Sequence, residues 1–476
     1  MISGTARRIT ANFLSLMGSQ VISRVLQLAV FAYLARVLGK DNFGVFSFGL
    51  AFSLILVIIA DFGLSTLLVR EISLNKKAAS KYLYNSIIIK ALLSIITFIV
   101  SYLFLNIANY PVQTKTVAYI LLAFALLQSF TEVIYSVFRA FERMHYDAFT
   151  KILRMVMLLI AVFYLLPEEY SPIAASLAFL ATEAIILIVA LFIAYTKFVK
   201  ISFEFDYHFS KNLLKRASLF CLSLIFANLY MYIDVVMLSK MRTTAEVGIY
   251  SAATNIIIAL IFIPAMYGNS IYPVLSRFYV TSKESLKFAY ERSVKYMVIL
   301  GMPIAAGIYL LSDKIIVFLY GSQYLASATA LSILSGYLFL KFINPMTGFT
   351  LIAIDKQSSR LFGQGAAALI NIVLNFVLIP AYGFIGAAVA TLITEIIFFI
   401  LYTSFIIKNG FEFNFVKSFI YKPLIAVGIM VFLLSFVENL FLAILMGILI
   451  YIAVVSALGV VDKEDKFLFN KVIRNV

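Results

Sequence analysis

The sequence predicts an all-α integral membrane protein of about fourteen transmembrane helices, and three observations carry that prediction. Hydrophobic residues fill 63% of the 476 positions and charged residues only 13%, with a mean hydropathy of +1.02. Soluble domains carry charge at about a quarter of their positions. Apolar runs recur from end to end, each long enough to cross a hydrocarbon core of roughly 30 Å. The third observation is an internal repeat. FGVFSFGLA at 43–51 returns as VGIYSAATN at 247–255, so Gly44, Val45, Phe46 and Ser47 are echoed 204 positions later by Gly248, Ile249, Tyr250 and Ser251.

Marking the apolar runs places spans at about 10–37, 43–69, 82–106, 114–138, 148–166, 172–196, 213–239, 245–274, 292–312, 324–352, 358–379, 384–407, 418–437 and 439–460. The first follows Arg7 and Arg8 and continues to about Leu38, longer than the apolar region of a cleaved leader, so it is expected to stay as a permanent span. The single cysteine, Cys221, falls inside span 7 and excludes a disulfide framework. His145 and His208 lie alone in polar loops, and no metal-ligand cluster is visible.

The formal charge of +15 raises the question of nucleic-acid binding, and its placement answers it. Loops on one face hold 27 Lys and Arg, those on the other hold 6, and 5 lie within spans. Such an asymmetry is the positive-inside pattern and puts both termini in the cytoplasm of a multi-pass cell-membrane protein. The basic balance is topology, and no nucleic-acid partner is expected.

The echo extends beyond the glycine motif. At the same offset Leu34 falls on Leu238 and Arg36 on Lys240; later Pro167 matches Pro380, and Thr182-Glu183 matches Thr394-Glu395. Spans 1–6 and 7–12 therefore read as two copies of one six-helix unit. Six is even, so the copies run in parallel, an arrangement suited to rocking one bundle against the other around a shared site. The expected divisions are 1–205, 206–410 and an appended pair of spans with a tail at 411–476.

Charge at membrane depth costs about 2.5–3.5 kcal/mol at a helix centre and faces an interior or a cavity. Arg24 stands near the middle of span 1, and its forked donors suit a phosphate; the bland reading is an ion pair with a neighbouring helix. Lys90 and Lys341, on spans 3 and 10, are further candidate anion contacts. Asp61, Glu132, Glu183, Asp234 and Glu395 supply acids. Asp234 is a candidate for a coupling proton or cation, and Asp61, in ADFGL, for coupling or for a kink before Gly63. The matched Glu183 and Glu395 favour shared packing over gating. Arg154 and Lys295 lie close enough to span ends to snorkel. Pro264, Pro303 and Pro345 are expected to interrupt spans 8, 9 and 10. GQGAAA at 363–368 lacks the context of a nucleotide loop and reads as small-residue helix packing, so an ion gradient, of protons or sodium, is the expected energy source.

Four stretches resemble the polysaccharide flippases, the Wzx-type branch of the multidrug/oligosaccharidyl-lipid/polysaccharide exporter superfamily: LARVLGKDNFGVFSFG (34–49), ADFGL (60–64), IDVVML…EVGIYSAA (233–253) and LNFVLIPAYGFIGAAVATLITE (374–395). The resemblance implies a MATE-like fold, with two bundles around a cationic central cavity lined chiefly by spans 1, 2, 7 and 8. It implies that an oligosaccharide on a polyprenyl diphosphate crosses from the cytoplasmic to the outer leaflet, with no bond made or broken and so no enzyme activity. A polysaccharide polymerase and glycosyltransferases are the implied partners. SRVL (23–26) is also similar to the first helix of lipid II flippases, but Val30 and Phe31 stand where those carry an Arg-Asp pair. Two alternatives stay open: an ion-coupled multidrug or small-solute antiporter, and a non-transporting membrane scaffold of a polysaccharide-synthesis complex.

Overall fold

The computed structural model describes residues 2–165, 171–200, 204–410, 420–462 and 465. Pro167, the side chains of Arg7 and Arg8 and the basic residues of the tail lie outside the described residues. The rest is helical, with no strand among the described residues. The helices are α1 (Ile2–Asp61), α2 (Leu64–Leu74), α3 (Ala79–Ile107), α4 (Val112–Ala140), α5 (Met144–Leu165), α6 (Pro172–Lys197), α7 (Tyr207–Met241), α8 (Thr244–Thr281), α9 (Lys283–Tyr320), α10 (Ser327–Ala353), α11 (Gln357–Lys408), α12 (Tyr421–Leu434) and α13 (Leu440–Ala457). Among the described residues nine helices are long and apolar enough to cross a membrane.

Some breaks agree with expectation and others do not. Spans 1 and 2 are two helices meeting at Gly39 (φ 71°, ψ 169°), and spans 11 and 12 two meeting at Gly383 (φ 58°, ψ −136°), each inside the gap expected between them. Glycine enters these regions without the steric penalty of a Cβ. The prolines do not interrupt: α8, α9 and α10 continue through Pro264, Pro303 and Pro345. Span 2, expected unbroken over 43–69, stops at Asp61. Phe62 (φ 48°) and Gly63 (φ 80°) turn the chain before α2 resumes. Asp61 stabilises that turn by accepting from Gly63 N at 3.1 Å and Ser65 Oγ at 2.5 Å.

α3 is ordered inside-out. Asn85, Ser86, Lys90, Thr97 and Ser101 are buried, while Leu92, Ile95, Ile99 and Leu103 are exposed. In water this arrangement would be unstable. In a bilayer, apolar side chains face lipid and polar ones find partners inside, so the pattern is that of a membrane helix.

Contacts divide the chain into two compact units, Met1–Ala259 with Ala368–Ala387, and Leu260–Ala367 with Ala388–Val476. In the first, Leu68, Leu83, Val133, Phe138 and Ala190 form a core among α2, α3, α4 and α6, and Leu64, Leu67, Ile89, Leu213 and Ala217 join α2, α3 and α7. In the second, Arg292 and Lys295 of α9 hold the segment after α13 through Asp462 and Asp465, with Lys295 Nζ 2.5 Å from Asp465 Oδ2. Lys295 is thus 4% exposed and paired; it does not snorkel, because two carboxylates reach it.

The repeat has a physical meeting point inside the first unit. A Cβ on Gly44 would overlap the carbonyl oxygen of Thr244, and one on Gly248 would overlap that of Lys40. Thr244 lies 204 residues after Lys40, as Gly248 does after Gly44. The two copies of the motif therefore cross main chain against main chain, in reciprocal fashion. The loop beside them is tied by Thr244 Oγ1 donating to Asp41 Oδ1 at 3.1 Å and Lys240 Nζ donating to Ala108 O at 2.6 Å.

Gly44→Ala and Gly248→Ala are each expected to destabilise the chain by roughly 1–3 kcal/mol or more through overpacking, seen as a lower unfolding midpoint in detergent. Gly307→Ala, with open space at its Cβ, is the control, and equal midpoints for all three would refute the crossing. The segment before α7 gives a pH prediction. Hydrogen bonds from Lys81 and Phe209 N hold the Asp206 carboxyl below the usual carboxylate range. Because the folded pKa is depressed, this hold is present at neutral pH and fades only as pH falls through that lowered value. Protection from hydrogen exchange at the start of α7, taken relative to the intrinsic rate at each pH, is expected to hold at neutral pH and to fall in strong acid; loss of protection at neutral pH would refute it.

Candidate functional site

A cavity of about 320 Å³ lies in the first unit. Gln20, Arg24, Gln27 and Phe31 line it from α1, and their spacing of three and four residues makes one helical stripe. Val21, Ile22 and Val25, between them, are exposed on the other side. The facing wall is built by Gln128 and Glu132 of α4, Lys151 and Arg154 of α5, Thr182 of α6 and Tyr232 of α7. Phe31, Phe124 and Phe179 supply aromatic lining, with Phe179 centred 6.3 Å from Phe31 and 5.5 Å from Phe124. The walls thus come from α1, which carries spans 1 and 2, and from α4, α5 and α6, with one residue of α7 and none of α8; spans 1, 2 and 7 are among the four the family resemblance implied, and spans 4, 5 and 6 are additional.

Arg24 is half-buried, and its Nη1 donates to Gln27 Oε1 at 2.9 Å. Among the described residues it has no carboxylate partner. Arg154 was expected to snorkel, yet it is 6% exposed and lines the cavity. Its Nε stands 3.4 Å from Glu183 Oε2, and neither atom makes a hydrogen bond. Glu183 is instead hydrogen-bonded by Thr131 at 2.7 Å through its other oxygen. Lys151 is held by Asp147 at 2.7 Å, Asp147 by Arg139 at 2.7 Å, and Arg139 by Glu132 at 3.0 Å. Three cations and one carboxylate therefore line the cavity. Amides and aromatic rings fill the spaces between them, which suits an anion bearing polar, ring-shaped groups.

The other candidates fall elsewhere. Lys90 is completely buried and does not line the cavity. Its Nζ stands 2.6 Å from Asp61 Oδ1, 2.7 Å from both Ser129 Oγ and Ser129 O, and 3.1 Å from Ser65 Oγ. The pair Lys90–Asp61 fastens α3 to the break between α1 and α2. In the second unit Lys341 Nζ is 3.0 Å from Glu395 Oε2, and Asn344 donates to Glu395 Oε1 at 2.6 Å. Thr131–Glu183 and Asn344–Glu395 are corresponding pairs, 213 and 212 residues apart in sequence; each copy of the repeat satisfies its buried glutamate from the same place. Asp234, 4% exposed, accepts from Tyr250 Oη at 2.7 Å and Asn375 Nδ2 at 2.5 Å.

Sequence reasoning missed Arg154 and the three glutamines. The neighbouring Lys151, three residues earlier, marks a polar face on α5 that could have signalled Arg154, and the spacing of Gln20, Arg24 and Gln27 marks one on α1. Depth along a span does not reveal which face a side chain takes.

Lys90→Met is expected to cost about 3–5 kcal/mol, since it strands a buried carboxylate; the double variant Lys90→Met with Asp61→Asn should recover part of it. Unfolding midpoints in detergent measure both, and a single variant as stable as the parent would remove the structural role.

Residues 9–279 match the family model described as polysaccharide biosynthesis protein, and residues 220–377 match the MatE model. The chain is 24% identical over 435 residues to the probable low-salt glycan biosynthesis flippase Agl15 of Haloferax volcanii, covering 90% of this chain and 91% of that one. Its fold is that of the lipid II flippase MurJ in an inward closed conformation (TM-score 0.78, 19% identity, 94% of this chain and 98% of that chain). An inward-facing multidrug resistance MATE transporter is also similar (TM-score 0.67, 18% identity, 82% and 96%). The first match spans more than half of the sequence, and the chain belongs to the polysaccharide biosynthesis protein family of the multidrug/oligosaccharidyl-lipid/polysaccharide exporter superfamily.

Proposed function

We propose that this protein is a flippase that moves an oligosaccharide carried on a polyprenyl diphosphate from the cytoplasmic to the outer leaflet by alternating access. The observation that carries the reading is Arg24, a guanidinium with no carboxylate partner among the described residues, lining a cavity in a membrane protein. Family membership and the flippase named among its relatives support it. A diphosphate bears about two negative charges, and bare hydrocarbon exacts a prohibitive desolvation cost. Arg24 and Arg154 replace part of its hydration, the glutamines and Tyr232 contact sugar hydroxyls and rings, and the polyprenyl tail stays in lipid. No bond is made or broken.

The two six-helix copies, 1–205 and 206–410, act as the rocking halves. Both termini are cytoplasmic in this reading, which puts the Gly44–Gly248 crossing on the outer side, where it closes that side while substrate loads from within. Asp234 is the coupling residue: a buried carboxylate held by a phenol and an amide can exchange a proton or a sodium ion as the gradient resets the protein. Lys90, Lys341, Asp61, Glu183 and Glu395 are assigned to holding helices together. Polymerase and glycosyltransferases supply and consume the substrate on the two faces.

The MatE match over residues 220–377 supports a second reading, an ion-coupled small-solute antiporter. The readings separate in a strain lacking its own flippase. At equal protein level Arg24→Ala is expected to lower surface glycan by about tenfold or more, the scale of one lost charge-assisted contact, with Arg24→Lys intermediate and Arg154→Gln impaired. Normal surface glycan in both Arg24 variants overturns the anion site. Export of small cations in place of lipid-linked sugar by reconstituted protein favours the antiporter.

A further inference from the structure

A second cavity, of about 310 Å³, lies in the second unit where α8, α10 and α11 end and α9 begins. Lys283, Lys287, Lys356 and Tyr279 line it, and Glu284 is the one carboxylate in its wall. Asp355, next to Lys356 in sequence, is not part of the lining. Lys283 is the first residue of α9, and Lys287 lies one turn along the same face. Lys356 immediately precedes α11, at the position where a short polar side chain caps free backbone N–H groups; here no side chain does so.

Lys283 and Lys356 therefore stand at helix starts, with Lys287 one turn in, where the backbone already carries positive partial charge and further cations are disfavoured. At α9 Ser282 accepts from Ser285 N and Glu284 lies in the first turn, which offsets part of that charge. Among the described residues none of the three makes an ion pair or donates a side-chain hydrogen bond, not even to the helix-end carbonyls that adjoin them along the chain. The Tyr279 hydroxyl, on a half-buried side chain, is equally without a partner among the described residues. The wall thus gathers three exposed lysines and a tyrosine hydroxyl around a recess, a donor set suited to an oxyanion.

We infer that this recess binds a phosphate group, at a site separate from the cavity of Arg24. Every loop contributing to it belongs to the lysine-rich side, so the recess sits at headgroup depth, where basic pockets between transmembrane helices hold anionic lipid. The phosphate comes either from a bilayer phospholipid or from solution, and the chemistry of capture is the same.

The test uses the full chain in nanodiscs and follows the unfolding midpoint. Phosphatidylglycerol in a phosphatidylcholine background, and separately inorganic phosphate at matched ionic strength, are titrated against the parent protein. The same titrations are run on Lys283→Gln/Lys287→Gln/Lys356→Gln, and on a control with three exposed lysines changed elsewhere, Lys76→Gln/Lys77→Gln/Lys211→Gln. The expected result is a stabilising shift in parent and control, with the half-effect concentration raised about tenfold or more in the site variant. A shift with lipid alone assigns the source to the bilayer, and a shift with inorganic phosphate assigns it to solution. Equal responses of site variant and control, or no response in the parent, overturn the inference. Lys356→Gln alone, in an exposed turn, keeps the test decisive if the triple variant folds poorly.

Discussion

Hydrocarbon gives a polar group nothing to bond with, and the described part of this chain is arranged around that constraint. It explains why α3 turns its amide, hydroxyl and ammonium groups inward. It explains why Lys90 is gripped by four oxygens of three residues besides its own helix. It also explains why Glu183 and Glu395 are each bonded by a neutral donor and faced by a cation. Measured against these closed accounts, Arg24 is conspicuous. A charge with no carboxylate beside it is tolerable only where the cavity supplies water or ligand in place of protein.

The cavity is also balanced with care. Too many free cations would trap an anion; full neutralisation would give it no reason to enter. Lys151 is tied into a chain of alternating charges that runs through Asp147 and Arg139 to Glu132. Arg154 is only loosely opposed by Glu183. On the proposed function, the wall offers an anion a graded attraction, strongest at the guanidinium groups and diluted by the surrounding amides. For a carrier that must release what it binds, moderate affinity is the physical requirement.

Much of this was legible in the sequence because it depends on composition and period. The spans and the repeated motifs follow from counting apolar residues and measuring offsets, and Glu183 and Glu395, matched in sequence, are bonded from matched positions. What escaped depends on direction. Lys90 and Arg24 look alike in a string of apolar letters, yet one is enclosed and the other lines a cavity. Arg154 lies close enough to a span end to reach the interface, but α5 turns it inward. Prolines promised breaks, yet α8, α9 and α10 run on through them, while the break at Gly63, where the backbone takes a positive φ, falls inside a span expected to be continuous.

The crossing of Gly44 and Gly248 joins two copies of one motif with no side chain between them. Neither position can drift without meeting the carbonyl opposite, so two sites far apart in the chain are bound to a common fate. A repeated motif is otherwise free to diverge copy by copy; here bare backbone against bare backbone keeps the two motifs in mutual memory.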